Sequence, residues 1–438
     1  MLDLIKITQK LKAHHEFTRI FSNVGWLLGD RVLRMGIGLF VSVWVARYLG
    51  VEQFGALSFA IAFVGLFNVF STLGLKDIVI RSLVAKTFPK EQLLGTVFVL
   101  KLLGGLLVML IASLTILALN NTDETKVALV IILSASGIFL AFDTIELWFQ
   151  SQVQAKYSVI AKNISFVITN VAKVNLISVQ ASLVTFAWAA LATPVLSAFS
   201  LTISYLVKRE SLIKWRWNLG IAKSLLKESW PLILSSVAIV IYMKVDTFML
   251  GSILGNQSVG LYTSATRISE AWYFVAGAVA SSVEPGVYTA RKQGDIESYY
   301  RRIGQLLRVL CLIAVAIALP VSFFSNLIIT TLYGNAFASA GLILSIYIWA
   351  ALFVFIGLGS NCWFIAEGLT QLTFYRTLAG AVMNVSLNLL LIPRYGGVGA
   401  AIATVISQAI ASFLSNAIDL RTKNIFFIQL KSIFQIRI

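Results

Sequence analysis

The chain has 438 residues, of which 58% are hydrophobic and only 12% charged, and its mean hydropathy is +0.86. A water-soluble domain is about half apolar and about a quarter charged, so this composition excludes a soluble protein and requires a bilayer. The formal charge of +16 would suggest nucleic acid in a soluble domain. In a membrane protein, lysines and arginines gathered in cytoplasmic loops account for it, and no nucleic acid partner is implied.

Residues 1–25 open as MLDLIKITQKLKAHHEF, alternating charge with apolar side chains. They lack the apolar core and cleavage site of a signal peptide and read as a cytoplasmic segment. About 20 apolar residues cross a bilayer as a helix. On that rule the chain is an all-α integral membrane protein with about twelve spans. The first six are Trp26 to Val45, Ala56 to Leu75, Leu93 to Leu119, Val127 to Phe149, Val159 to Val179 and Leu183 to Val207. The second six are Pro231 to Leu250, Val259 to Val287, Leu306 to Ile329, Leu342 to Ile365, Leu372 to Ile392 and Val398 to Ile418. The expected domains are a six-helix bundle over 26–207, a cytoplasmic connecting loop over 208–229 and a second six-helix bundle over 230–418. The tail, 419–438, is basic and amphipathic and is expected to lie on the inner membrane surface.

Orientation follows from the basic residues. With the N-terminus inside, 25 of the 35 lysines and arginines fall in inside segments and only Arg47, Lys126 and Arg394 fall outside. That bias puts both termini in the cytoplasm and favours an even number of spans. The sequon Asn120-Asn121-Thr122 then lies outside, although so short a pattern is common by chance.

The chain repeats itself. LGVEQFGALSFA from Leu49 returns 205 residues later as LGNQSVGLYTSA from Leu254, with Leu49, Gly50, Gly55 and Ala60 identical to Leu254, Gly255, Gly260 and Ala265. A second echo sets Tyr157, Ala161 and Asn170 on Tyr375, Ala379 and Asn388. Six spans separate the copies, so they share one orientation, as parallel repeats of secondary transporters do. Gly50, Gly55, Gly255 and Gly260 are candidate hinges, although a tight turn also needs glycine for static reasons.

An ionisable group at mid-bilayer costs roughly 2.5–3.5 kcal/mol on insertion scales, so it usually faces a cavity or a partner. Asp30, Arg31 and Arg34 open span one, and the two arginines, three apart, share a helix face. Asp143 and Glu146 stand near the inner end of span four, where they could pair with Arg31 and Arg34 across a closed inner mouth. Lys244 and Asp246 in span seven and Arg267 and Glu270 in span eight reach similar depth. A purely structural ion-pair network would explain them. A water-filled vestibule between the two bundles explains them more sharply: Arg31, Arg34, Lys244, Arg267 and the polar Asn68 would receive an anionic headgroup. Asp30, Asp143, Glu146, Asp246 and Glu270 would serve gating or exchange a proton or sodium ion. Lys101, Lys173 and Arg308 are expected to snorkel or to form local pairs. Asn170, Asn384 and Asn388 add polar groups, which also serve as glue between helices.

No enzyme site stands out. There is no P-loop and no G-x-S-x-G. The two cysteines, Cys311 and Cys362, have no metal-type spacing, and both histidines, His14 and His15, lie in the polar N-terminus. No catalytic residue, metal site or cofactor is expected.

The segments DRVLRMGIGLFVSVWVARYLGVEQFGALSFAIAFVGLFNVFSTLGLKDIVIRSLV, from Asp30, and LYTSATRISEAWYFVAGAVASSVEPGVY, from Leu261, resemble bacterial O-antigen flippases of the Wzx type. The resemblance implies the multidrug/oligosaccharidyl-lipid/polysaccharide exporter fold, two six-helix bundles in a V whose spans one, two, seven and eight line a central cavity. It implies an undecaprenyl-diphosphate-linked oligosaccharide moved from the cytoplasmic to the periplasmic leaflet of the inner membrane by alternating access. Membrane lipids are implied partners, with a polysaccharide polymerase and a chain-length regulator beside them. A drug/cation antiporter of the same superfamily would want an acidic cavity, whereas the deep groups here balance to neutral or basic. A glycan polymerase would carry a large outer loop, and a scaffold would not need parallel repeats with deep charges.

Overall fold

The computed structural model describes residues 2–119 and 123–434, with residues 2–24, 27 and 28 described by backbone alone. The sequon at 120–122 and residues 435–438 of the tail lie outside the described residues. Helices account for nearly all the rest, and no strand occurs among the described residues. Eight of the helical stretches are long and apolar enough to cross a membrane. Two of the eight each hold a pair of expected spans. Leu2–Phe67 turns at Gly50 (φ 72°, ψ 175°), and Thr370–Ser412 turns at Gly396 (φ 58°, ψ −134°). Spans five and eight form helices too, Ala155–Ser178 and the pair Asn256–Glu270 and Tyr273–Gln293. Their lysines, hydroxyls and carboxylates keep them below the hydropathy of the rest.

The chain divides into two compact units, but not at its middle. One unit holds Met1–Gly38 and Phe67–Leu234; the other holds Leu39–Leu66 and Ser235–Ile438. The expected first bundle therefore gives 39–66 to the second unit. The reason is packing: a Cβ on Gly55 would come 2.7 Å from the Asn256 carbonyl carbon and 2.9 Å from the Gly260 nitrogen. Only a bare backbone allows that approach.

In the first unit, Leu94, Ile145, Trp148, Phe149, Leu201 and Tyr205 form one buried cluster. Helix Lys90–Ala118 presents Leu103, Leu106, Leu107, Leu110, Leu114 and Leu117, all exposed. Their three- and four-residue spacing makes one helix face, the face lipid tails would cover. The expected connecting loop is not a free linker. Asn218 caps helix Leu219–Ile253 by accepting from the Ile221 amide (3.1 Å), while its own amide nitrogen donates to the Thr96 hydroxyl (3.0 Å). Ile221, Ala222 and Leu225 then bury against Leu75, Ile78 and Leu93. This early start places Pro231 inside the helix, not at its first turn.

In the second unit, helix Ile296–Phe323 begins with Asp295 accepting from the Ser298 amide at 3.0 Å. The tail helix Lys423–Phe434 does more than lie on a surface. Ile425 and Gln429 are fully buried in the unit. The Gln429 amide nitrogen donates to the Ser360 hydroxyl (2.6 Å) and the Ser412 carbonyl (3.1 Å), and its oxygen accepts from Asn416 (2.9 Å). A buried amide with these bonds fixes a helix where an apolar stripe alone would let it slide.

Candidate functional site

The deep charges of spans seven and eight fall within the second unit. Lys244 and Asp246 are two apart on helix Leu219–Ile253, a spacing that sends side chains to different sides. Tyr262, Thr263, Thr266, Arg267 and Glu270 follow one another at helical spacing on Asn256–Glu270 and share a face. That face and Lys244 line a cavity of about 110 Å³, completed by Ser58, Ile61, Met243 and Tyr347 among others. The expected vestibule placed these charges between two bundles; the cavity is built inside one unit.

The two cavity cations differ. Arg267 donates to the Ser42 hydroxyl and stacks over the Phe54 ring, 5.3 Å from its centroid. Its guanidinium is thus aimed by residues of 39–66, near the repeated turn. Lys244 makes no hydrogen bond or ion pair among the described residues, which leaves its ammonium for a ligand. Glu270 accepts from the Tyr347 hydroxyl at 3.1 Å. No ion pair within 4 Å joins Lys244, Asp246, Arg267 and Glu270 among the described residues, although Glu270 interacts electrostatically with both cations.

Asp246 points away from this cavity into a cage. It is 4% exposed and accepts from the Tyr262 hydroxyl (2.7 Å), the Asn388 amide (2.5 Å) and the Thr404 hydroxyl (2.6 Å). Burying a carboxylate is costly unless it is hydrogen-bonded, and three donors meet that need. The cage can also be re-aimed. Thr404 has one proton and two acceptors within reach, Asp246 and the Ala400 carbonyl at 2.9 Å. The Asn388 side-chain oxygen is buried with no donor. With the Asn388 amide turned over, its oxygen would join the Asp246 carboxylate, the Thr404 hydroxyl and the Asn384 oxygen as a set of hard oxygen donors. That set fits a small monovalent cation or a proton.

The first-unit candidates form other arrangements. Asp30 pairs with Arg34 at 2.6 Å, one turn apart, and the Arg34 guanidinium lies 5.1 Å from the Phe166 ring centroid. Arg31 is exposed. Asp143 and Glu146 do not pair with either arginine: both bind Lys162, at 2.9 and 2.5 Å. Lys162 stands on the next helix in sequence, Ala155–Ser178, so the local partner satisfies both carboxylates. Lys101 does not snorkel. It is 5% exposed, and its ammonium reaches the Leu140 carbonyl at 3.5 Å, where span four narrows to a 3₁₀ turn over Leu140–Phe142. Asn68 belongs to the first unit and heads the short helix Val69–Thr72, so it does not line the Lys244 and Arg267 cavity.

The four glycines split into two kinds. Gly50 and Gly255 hold nearly the same backbone, φ 72° and 83° with ψ 175° and −175°, a region open essentially to glycine alone. Gly55 and Gly260 are helical instead, and their lack of a side chain lets the two copies of the repeat touch. A Cβ on Gly260 would meet the Val51 carbonyl carbon at 3.0 Å. They are contact positions, not turns.

Residues 20–285 match the sequence profile of the polysaccharide biosynthesis protein family, and residues 231–390 match the MatE family. The chain belongs to the polysaccharide biosynthesis protein family. A probable low-salt glycan biosynthesis flippase of Haloferax volcanii, Agl15, is 28% identical over 194 residues, 43% of this chain and 40% of its own length. The probable flippase AglR of the same organism is 28% identical over 177 residues, 38% of this chain and 36% of its own length. The matches thus span less than half of the curated relatives. Among solved structures, the lipid II flippase MurJ in an inward closed conformation aligns with a TM-score of 0.76 at 19% identity, over 95% of this chain and 91% of that one. An inward-facing multidrug resistance MATE transporter of the MOP superfamily aligns with a TM-score of 0.68 at 18% identity, over 92% and 95%. The family member described here therefore has the all-α membrane fold of that superfamily. These relatives and neighbours are flippases and transporters by their names, not enzymes.

Sequence reasoning missed Tyr262, Thr404 and Ser42. The first two stand 16 and 158 residues from the carboxylate they bond, and Ser42 stands 225 from Arg267. The one legible hint was the pair Asn384 and Asn388, four apart and so on one face of an apolar helix.

Proposed function

We propose that this protein flips a lipid-diphosphate-linked oligosaccharide across the membrane by alternating access, with a cation or proton at Asp246 as the coupling ion. The observation that carries this reading is the pairing of an anion-attracting cavity with a buried oxygen cage, the two sharing helices Leu219–Ile253 and Asn256–Glu270, with helix Thr370–Ser412 completing the cage. Lys244 and Arg267 against Glu270 leave the cavity net positive, which suits a diphosphate. The same balance disfavours the runner-up, a multidrug/cation antiporter, because a cationic drug would meet two cations.

Size limits what the cavity does. Small-molecule sites run to about 300–1,000 Å³, and the cavity here holds about 110 Å³. It takes a few waters or part of a charged headgroup, never the glycan, so entry requires its walls to part. The finer reading takes the substrate as an undecaprenyl-diphosphate-linked repeat unit of the O-antigen type, carried from the cytoplasmic to the periplasmic leaflet of a bacterial inner membrane. Both termini would be cytoplasmic, with a polymerase and a chain-length regulator receiving the product. In the coupling step the Asp246 carboxylate, the Thr404 hydroxyl and the Asn384 and Asn388 amide oxygens would hold the ion.

The test is reconstitution. Proteoliposomes carrying the protein should flip a labelled lipid-diphosphate-linked oligosaccharide, and K244A and R267A should abolish flipping while the protein remains inserted. D246N should remove the dependence on sodium and proton gradients. Normal flipping in K244A and R267A would overturn the role of the cavity, and flipping indifferent to both gradients in the wild type would overturn the coupling.

A further inference from the structure

Two sites in the second unit meet at one hydroxyl. Among the described residues that bond Asp246, neither Asn388 nor Thr404 lines the cavity; Tyr262 does both. Its hydroxyl lies 2.7 Å from the Asp246 oxygen Oδ2 and 3.3 Å from the Thr404 hydroxyl. Its ring meets the Tyr347 ring edge-on, with centroids 5.8 Å apart at 87°. Tyr347 in turn donates to Glu270, which lines the cavity with Lys244 and Arg267. The tyrosine is 2% exposed, so its proton has no bulk water to turn to, and its acceptors are the carboxylate, the Thr404 hydroxyl and whatever occupies the cavity that the residue lines.

A phenol carries one proton and donates it to the strongest acceptor in reach. A bare carboxylate is that acceptor, because a hydrogen bond to an ionised partner is roughly twice as strong as one between neutral groups. Once the charge of Asp246 is neutralised the preference falls, and an anionic group in the cavity becomes the better acceptor. We propose that the Tyr262 hydroxyl couples the two sites: it donates to Asp246 when that carboxylate is bare, and turns into the cavity toward a diphosphate when Asp246 is neutralised. Tyr262 is thus a positioning residue through which loading of the cage tightens the cavity's hold on an anion. Linkage makes this reciprocal, so a bound diphosphate would tighten the cage's hold on its cation by the same factor. The inference rests on the flippase reading above, since it takes a diphosphate as the cavity's ligand.

The experiment is a double-mutant cycle on the full chain in nanodiscs, read as the Kd of farnesyl diphosphate. It compares wild type, D246N, Y262F and D246N/Y262F, with thermal stability followed for each. D246N mimics the neutralised cage whatever the natural ion, and is expected to tighten binding about tenfold, as one hydrogen bond to a charged ligand gives. In the Y262F background the same substitution should change Kd by less than about twofold, while T404V, which alters the cage but not the cavity lining, should leave the tightening by D246N in place. Equal tightening in the presence and absence of the Tyr262 hydroxyl overturns the inference, as does a D246N protein that binds no tighter than wild type. If Y262F is too unstable to assay, Y262H, which keeps a ring donor, should preserve the tightening, and its loss in a stably folded protein overturns the inference as well. Failure of the flippase reading looks different: the wild type would show no saturable diphosphate binding at all, and both would fall together.

Discussion

The contact between the two copies of the repeat invites the most direct test. A Cβ at Gly55 would lie 2.7 Å from the Asn256 carbonyl carbon, where non-bonded carbons settle at about 3.5–4.0 Å. G55A therefore demands a separation of about 1 Å between the two segments. Both partners are backbone, so no side chain can swing aside, and overpacking of this kind costs about 1–3 kcal/mol. In an equilibrium between arrangements with the segments together and apart, that cost shifts the balance about 5- to 150-fold toward separation. The assay is disulfide formation in a V51C/N256C pair, in a background with Cys311 and Cys362 replaced by serine. Efficient cross-linking is expected with Gly55 present, and at least a fivefold slower reaction in G55A. Gly65 has nothing within 4 Å of its notional Cβ, so G65A serves as the neutral control. Unchanged cross-linking in a stable G55A protein would refute the argument that this approach depends on the missing side chain.

Other expectations follow from single contacts. S42A removes the hydroxyl that aims Arg267 and should weaken diphosphate binding by about ten- to a hundredfold, as one hydrogen bond to a charged group suggests. K162M strips Asp143 and Glu146 of their shared cation; because all three side chains keep 21–26% exposure, the loss should be about 1–3 kcal/mol, below that of a fully buried pair, and K162R should recover most of it in a melting assay. Q429A removes three buried hydrogen bonds, leaving the Ser360 hydroxyl only the Ile356 carbonyl and the Asn416 amide and Ser412 carbonyl only each other, and should lower stability by about 1–3 kcal/mol, measurable as earlier proteolysis of the tail helix. Asp295, held below the usual carboxylate range by the Ser298 amide and hydroxyl, has a depressed folded-state pKa. Its contribution is present above the unfolded value of about 3.9 and disappears as pH falls through the folded value. The melting difference between wild type and D295A should accordingly be visible at pH 6 and shrink below about pH 4.

Much of the fold could be read directly. Spans were legible because about 20 apolar residues have few uses outside a bilayer, and the turns at Gly50 and Gly255 because the repeat marked them with identical neighbours. Pro231 misled, since a proline at a helix start and a proline inside a helix look alike until Asn218 is seen to cap the chain thirteen residues earlier. Lys101 misled for a related reason: a lysine in an apolar run reads as a snorkeler, and only the 3₁₀ turn at Leu140–Phe142 supplies the carbonyl that keeps it inside. The charges themselves were all visible, but their partners were not. Hydrophobic periodicity specifies faces of single helices; it carries no information on which face meets which. Hence Asp143 and Glu146 were matched to distant arginines when Lys162 was at hand, and the Asp246 cage, drawn from three separate stretches of chain, left no trace beyond two asparagines.

The close approach at Gly55 and Gly260 has a further consequence. Val51 and Asn256 are separated by the repeat offset of 205, and so are Gly55 and Gly260. Gly55 meets Asn256, and Gly260 meets Val51, so exchanging the copies turns one contact into the other. That reciprocity is the mark of an isologous interface, in which one surface patch recognises itself about a two-fold axis. Here the two patches lie on one chain, and each is free to vary without its twin. The chain has used that freedom: the position facing Gly55 is Asn256, its counterpart facing Gly260 is Val51, and of these four contact positions only the two glycines are identical. A pair of identical hairpins joined in this way needs only the small residues at the crossing to hold, which leaves other positions open to diverge: Ser58, Ile61 and Ala62 line the cavity together with their counterparts Thr263, Thr266 and Arg267.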